Sequence, residues 1–444
     1  MSKLLDALAR LLFLAGVIVA ALVLGAWLAW REAPPFAKLL RPSFIGVDAL
    51  LSGDADDDDD DAPGTAGSPG PGPRGVLTLD AQRASAGLTL VVAGQGARLI
   101  ELDGTVRHRW ELPYERLLGP GALRDHSPPE TKLYWRPARA LPNGDLLAVV
   151  DEHRASPEGL AIVRMDRDSR PLWVLHEHVH HDFDIAPDGR IFVLGMGVRA
   201  DPPRALRKLV GPLLEERLLV LSPAGRPLEE VSILEAFVGT PYEALLERTA
   251  GERRYRKGDY LHSNNVDVVT AAVAARFPFA AEGQVLLSLR EISTLALLDV
   301  GRRRIVWARH DEWEMQHDPD FLDNGHLLIF DNRGDYRRGG SSRVIEYEPL
   351  TGAIVWEYPG PAGPKLWSGI RGDQQRLPNG NTLINEFAQA RLLEVTPGRE
   401  VVWEYRCDFP GAWKPRKGCA AMSTERYAPG ALSFALNEGE LAEP

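Results

Sequence analysis

EMQHDPDFLDNGHLLIF, residues 314–330, is the stretch on which the reading of the fold turns. Its second part, FLDNGHLLIF, is two short apolar runs joined by Asp323, Asn324 and Gly325. Asn-Gly between apolar runs is a strong hairpin signal, because both turn positions accept positive φ. The phrase recurs as LPNGDLLAVV from Leu141, APDGRIFVL from Ala186 and LPNGNTLIN from Leu377. A second phrase is a hairpin whose last strand is apolar or carries tryptophan. It starts at Leu99, Ile162, Leu219, Leu295, Val344 and Leu392, at intervals of 63, 57, 76, 49 and 48 residues. Repeats of about 40–50 residues, each of four short antiparallel strands, indicate propeller blades. A lone sheet leaves one face bare, so blades stack, and radial closure hides their edges. The expectation is an all-β, six-bladed β-propeller over residues 77–405. A β-sandwich also has many short strands, but not this fixed internal order.

Outside the repeats the chain changes character. Residues 1–10 form a short flank. Residues 11–30, LLFLAGVIVAALVLGAWLAW, are twenty positions without a charge, enough to cross the ~30 Å hydrocarbon core as a helix. The run is long for the h-region of a signal peptide and lacks a small-x-small cleavage site, so it reads as a transmembrane anchor. Lys3 and Arg10 flank one side and Arg31, Lys38 and Arg41 the other, which leaves the orientation open. Residues 31–76 are a juxtamembrane segment and an Asp/Gly/Pro-rich linker with the run DADDDDDD, a composition that cannot offset its ordering entropy. Within the propeller, residues 202–218 and 233–258 show helical spacing and read as insertions. In the tail, residues 406–444, ALSFAL from Ala431 is a candidate closing strand.

The net charge of −11 argues against nucleic acid, which needs clustered Lys and Arg. The 44% apolar content is ordinary for a globular chain. Two cysteines, Cys407 and Cys419, stand twelve apart. A disulfide suits an exported domain and free thiols a cytosolic one, and the count does not choose.

The repeated turn also aligns the strands next to the central channel. The seven residues ending at each turn read RPARALP from Arg136, HDFDIAP from His181, HDPDFLD from His317 and GDQQRLP from Gly372. HSNNVDV from His262 lacks the turn and is placed by its pattern. Three successive blades thus set histidine at one register, and a fourth sets arginine there. Inner-strand ends converge on the propeller axis, so His181, His262 and His317 are expected in one funnel. A single such histidine is more often a structural, water-holding group; three out of eleven in the chain point to chemistry. Neutral imidazoles suit zinc, copper or iron, whereas arginine and protonated histidine suit an oxyanion. Arg136, Arg371, Arg376 and Arg290, with Asn264 and Asn265 as neutral donors, favour the oxyanion, because crowded cations oppose a dication. Asp182 and Asp318 follow histidines directly, but adjacent strand residues face opposite ways.

DYLHSNNVDVV with a downstream LLSLRE, then QHDPDFLDNGHLLIFDN, resemble the bacterial aryl-sulfate sulfotransferases. RLPNGNTLINEFAQARLLEVTPGREVVWEY is similar to the broader arylsulfotransferase-like family. The resemblance implies a periplasmic six-bladed propeller that moves a sulfuryl group from a phenolic ester to another phenol, without metal or organic cofactor. Its small-molecule partners would be an aryl sulfate donor and a phenolic acceptor. It implies that His317 is a nucleophile, transiently sulfated, in ping-pong order. It implies that His262 and Arg290 bind the sulfuryl oxygens, with Asn264 beside them, and that His181, rather than its neighbour His180, is the third histidine. Arg136 and Arg371 are added as substrate-binding residues from the blade alignment. Trp313, Trp367 and Trp413 are candidates for aryl contacts, with core packing as the alternative. A non-catalytic, envelope-anchored binding or assembly propeller, or a metal-dependent lactonase or quinoprotein-like enzyme, are the other readings.

Overall fold

The computed structural model describes residues 73–117, 133–152, 156–206, 208–246, 258–335, 339–361, 363–407 and 420–436. Six antiparallel sheets follow one another around an axis. In chain order, the inner strands of blades 2 to 6 are Leu133–Ala140, Val179–Ile185, Ser263–Val268, His317–Phe321 and Asp373–Arg376. Blade 1 takes its inner strand, Ser423–Tyr427, from the C-terminal end, beside Leu88–Ala93. Blade 6 takes a fifth, outermost strand, Gly75–Leu79, from the N-terminal end, paired with Val401–Arg406. Two clasps therefore close the ring, and each inner strand lies against the next all the way round. The six-bladed propeller expected from the repeats is the observed fold.

The core is divided into six wedges, one between each pair of neighbouring blades. Each fully buried Leu, Val or Phe in a wedge contributes roughly 1.5–3 kcal/mol. The turn phrase does what its chemistry requires. Gly144, Gly189, Gly325 and Gly380 all have φ between 83° and 91°, which a side chain would strain. Outer-strand tryptophans reach into the next blade: Trp110 donates to Gly144 O at 3.1 Å, Trp356 to Pro397 O at 2.9 Å, and Trp403 to Leu102 O at 2.8 Å.

Carboxylates stitch the inner strands. Asp182 and Asp184 accept the Val266 and Val268 N–H groups, and Asp267 accepts that of Phe321. Asp318 accepts the N–H of Gln374, and Asp373 that of Thr424. Asp182 and Asp318, which follow histidines in the sequence, thus serve the neighbouring strand rather than the imidazoles.

Three expectations need correction. Residues 202–218 hold no helix among the described residues; Leu213–Leu221 is instead a strand pairing along the whole of Ile191–Arg199. Ladders on both of its edges, to Ile191–Arg199 and Pro227–Ser232, satisfy its backbone, which the apolar spacing alone did not distinguish from a helix. The second insertion forms only one short α-helix, Ile233–Ala236, and its last part falls outside the described residues. The closing strand is Ser423–Tyr427, while Ser433–Leu436 is a 3-10 turn whose Phe434 packs edge-on against His108 and Trp110. The expected anchor at 11–30, the acidic run, Trp413 and Cys419 also lie outside the described residues. Among the described residues no helix is long and apolar enough to cross a membrane. Cys407 is buried and disulfide-bonded.

Candidate active site

The inner strands of blades 3, 4 and 5 bring their histidines to one end of the channel, though not at one register. Ile185, Val268 and Phe321 are equivalent, pairing with Ile191, Val285 and Leu327 at the turn end of each strand. His181 and His317 stand four residues before these positions, but His262 stands six before. The alignment of His262 with the others was therefore two residues out, because blade 4 lacks the turn that fixed the count. His262 still reaches the pocket, since its left-handed backbone, φ 47°, redirects the chain above Ser263. His181, Asp318 and Arg371 are left-handed too, at 55°, 50° and 56°. Such non-glycine residues each cost about 1–3 kcal/mol and concentrate where a side chain must be aimed.

His317 is 7% exposed, and both of its nitrogens are spoken for. Nδ1 lies 2.8 Å from Asn332 Oδ1 and 3.2 Å from Met315 O. Asn332 donates through Nδ2 to Ser368 O and Arg371 O, at 2.6 and 2.7 Å, which fixes its amide so that Oδ1 faces the imidazole. Two acceptors at Nδ1 put the proton there and leave the Nε2 lone pair free to accept the Arg371 N–H at 3.2 Å. Burial, then the positive charges of Arg290 and His262, push the His317 pKa well below its usual value, so the ring is neutral at pH 7.

His262 is the opposite case. Burial disfavours its charge, but Asp259 Oδ2 lies 2.5 Å from Nδ1, and this carboxylate raises the pKa to about 9. Asp259 Oδ1 also accepts the His262 N–H at 3.1 Å. The His262 ring meets that of His181 edge-on, with centroids 4.8 Å apart. His181 is held neutral by burial and by the charges of Arg136, His262 and His180.

The other candidates divide. Arg290 is buried in a 3-10 turn, with Nη1 2.5 Å from Glu291 Oε1 and its N–H on His262 O at 3.3 Å. Its charge acts on both His262 and His317. Arg136 binds Asp151 and Glu158 at 2.6 Å each, on the His181 side of the pocket. Arg371 gives its N–H to His317 and lays its guanidinium over Phe387 and Tyr134, 4.7 and 5.6 Å from the ring centres. Arg376 is elsewhere, over Trp356 and paired with Glu346 at 2.7 Å. Asn264 donates to Gln316 O at 3.0 Å and Asn265 to Pro319 O at 3.2 Å, so the pair grips the strand on either side of His317. Trp313 is core, its N–H on Ser293 O at 3.0 Å. Trp367 is half-buried.

Sequence reasoning missed Asp259, Asn332 and Glu216. Asp259 stood three residues before His262 in DYLH, a spacing that the strand alignment started too late to include. A sequence model of the arylsulfotransferase (ASST) family matches residues 140–408. The chain belongs to that family. The match runs from the end of blade 2's inner strand through blade 6, and so takes in His181, His262, Arg290, His317 and Arg371, while Arg136 lies just before it. Membership of the family suggests small aryl substrates. No curated protein matches it significantly. Among solved structures it is similar to a Bacteroides caccae protein of unknown function, 14% identical with TM-score 0.46, covering 74% of this chain and 97% of that one. It is also similar to a streptogramin B lyase, at 11%, TM-score 0.39 and coverages of 77% and 85%. Kuenenia stuttgartiensis hydrazine synthase follows at 9%, TM-score 0.40 and coverages of 68% and 70%.

Proposed function

We propose that the protein transfers a sulfuryl group from an aryl sulfate ester to a phenol in two steps, through a sulfated His317. The observation that carries this reading is one cluster holding two unlike imidazoles, His317 with an amide oxygen at Nδ1, which leaves it neutral, and His262 with a carboxylate there, which favours its protonated form.

In the first step the Nε2 lone pair of His317 attacks sulfur. The N–S bond forms as the S–O bond to the aryl group breaks, and the leaving phenolate takes the proton of His262. Nδ1–H stays on the ring, where Asn332 and Met315 accept it while positive charge builds. In the second step neutral His262 removes the proton of the acceptor phenol, whose oxygen attacks sulfur and releases His317. Every proton and electron pair is returned, so no cofactor is consumed. A His262 pKa of about 9 lies near the ~10 of a phenol, which suits both directions of proton transfer. Arg290, which faces both His262 and His317, is the cation nearest the reacting groups, Arg136 being engaged by Asp151 and Glu158. The Arg371 N–H, displaced as sulfur arrives at Nε2, becomes a further donor. In this reading residues 11–30 tether the propeller to the inner membrane on its periplasmic side.

The test uses the full-length chain, a chromogenic aryl sulfate and a phenol, with intact-mass analysis for a sulfuryl adduct. Acceptor-dependent phenolate release is expected, with an adduct on His317. His317→Ala should lose about 10⁴-fold or more and carry no adduct. Turnover that survives His317→Ala would place the nucleophile elsewhere.

A further inference from the structure

A second imidazole–carboxylate pair lies behind His181 and takes no part in the two steps above. His180 is fully buried, and its Nε2 is 3.1 Å from Oε2 of Glu216, itself 1% exposed. Glu216 stands on the third strand of blade 3, and its Oε1 accepts the Ser263 N–H of blade 4 at 3.3 Å. On its other side His180 Nδ1 is 2.7 Å from His181 Nδ1. Consecutive strand residues ordinarily face apart. These two face each other because His181 is left-handed and the ladder slips between Val193 and Gly195.

Two nitrogens 2.7 Å apart cannot both present lone pairs, so one of them carries a proton. The carboxylate decides which. His180 has an anion at Nε2, and a buried anion without a cation is costly, so the proton-rich ring is His180. It then donates from Nδ1, and His181 accepts at its own Nδ1. The remaining proton of His181 is thereby confined to Nε2, on the ring that meets His262.

We propose that Glu216 and His180 are positioning residues that lock His181 in its Nε2–H tautomer, making it a neutral donor to the sulfuryl oxygens. This rests on the sulfotransferase reading for its role, but not for its geometry. The groups facing the pair are Glu158, 3.6 Å from His181 Nδ1, Arg136 on Glu158, and the His262–Asp259 pair. Glu158, His180 and His181 also form a group whose ligand atoms lie within 4.8 Å of one another. A metal there would need lone pairs on both Nδ1 atoms and would share Glu158 Oε2 with the Arg136 guanidinium, 2.6 Å away.

The test has two arms on the full-length protein. Nitrogen-15 spectra of the imidazoles should show His181 protonated at Nε2 in the wild type and a mixture of tautomers in Glu216→Gln. Glu216→Gln should also lower kcat about tenfold with little change in KM, since it loosens a donor without removing it. In a His181→Gln background, where an amide donates whatever Glu216 does, the same substitution should have almost no further effect. An Nδ1–H His181 in the wild type would overturn the proposal. So would equal losses in both backgrounds, which mean a structural role. One equivalent of zinc, retained on purification and lost in His180→Asn, would overturn it too. A wild type that transfers no sulfuryl group would remove the role and the function together, with the spectra still deciding the tautomer.

Discussion

His317 opens the inner strand of blade 5 and His262 immediately precedes that of blade 4, the first buried and the second mostly so, yet the fold gives them opposite charge states. The difference is the atom at Nδ1. For His317 it is an amide oxygen, Asn332 Oδ1 at 2.8 Å, and for His262 a carboxylate oxygen, Asp259 Oδ2 at 2.5 Å. Either oxygen accepts the Nδ1 proton and orients the ring. Only the carboxylate compensates a full positive charge in a low-dielectric site, where two charges at contact are worth several kcal/mol. His181 and His180 repeat the division: the carboxylate near His181, Glu158, is held by Arg136 at 2.6 Å, whereas Glu216 stands 3.1 Å from His180 Nε2. Protonation in this pocket is set by the second partner, because burial alone would neutralise all four rings.

Among changes that exchange the partner and keep both rings, the largest effect should come from removing the carboxylate. Asp259→Asn leaves an acceptor beside Nδ1 and takes away the charge, turning His262 into a ring of the His317 kind. Transfer from a plain phenyl sulfate, whose leaving group needs a proton, should fall about 10²–10³-fold. Transfer from a 4-nitrophenyl ester should fall far less, so the plot of log kcat/KM against leaving-group pKa steepens. A parallel fall for both esters would show that His262 does not act as the acid. Stability offers a second readout. The raised pKa of His262 contributes stability that is present in full below about 6.5 and lost as pH rises through about 9. The melting difference between wild type and variant should close over that window.

The converse substitution gives His317 the carboxylate. In Asn332→Asp the imidazole should become basic, moving the acidic limb of the pH–rate profile upward. Activity at pH 6 relative to pH 8 should then drop about tenfold, one pKa unit's worth. The new carboxylate loses the donors to Ser368 O and Arg371 O, so roughly 1–3 kcal/mol of stability goes with it. That loss is independent of the position of the limb, which is the quantity to measure. An unmoved limb would mean that the profile reports some group other than His317.

The ring of blades was legible because turn chemistry is local. LPNGD, APDGR, LDNGH and LPNGN carry their glycines and Asx residues in sequence, and the positive φ at Gly144, Gly189, Gly325 and Gly380 is the reason they are needed. The same phrases located His181 and His317 correctly on their strands. The rest of the site is non-local. Asn332 lies fifteen residues from His317 on the next strand, and Glu216 thirty-six from His180 on a strand whose spacing read as helix. Blade 4 lacks the turn, so counting from it misplaced His262 by two residues, and Asp259 fell outside the aligned window. Repeats announce where side chains converge; which neighbour sets each proton depends on contacts between strands that periodicity does not encode.

The smallest effect concerns carboxylates that lack imidazoles, further along the same inner strands. Asp182, Asp267, Asp318 and Asp373 each accept an N–H from the next blade, but among the described residues no histidine hydrogen-bonds to them. Burial, followed for several of them by mutual repulsion, raises their pKa values: Asp267 and Asp373 to about 8, and Asp318 to about 6. Asp320, whose carboxylate makes no hydrogen bond among the described residues, is raised too, by burial and then by Asp318, Asp267 and Asp182. A carboxyl whose pKa is raised on folding binds its proton more tightly in the fold than in the unfolded chain. Stability should therefore fall as pH climbs from about 4, the unfolded value, through the folded values near 8. Asp320→Asn removes repulsion and loses no hydrogen bond, so it should stabilise the propeller above pH 8 by about 1 kcal/mol, roughly 2 °C in melting, and have little effect at pH 5. Asp259→Asn destabilises at neutral pH, so the two Asp→Asn changes should have opposite signs. An Asp320→Asn protein that melts lower at pH 9 would mean that this carboxylate has a cationic partner, and that pairing with charge is the rule along the whole channel rather than the privilege of the histidine end.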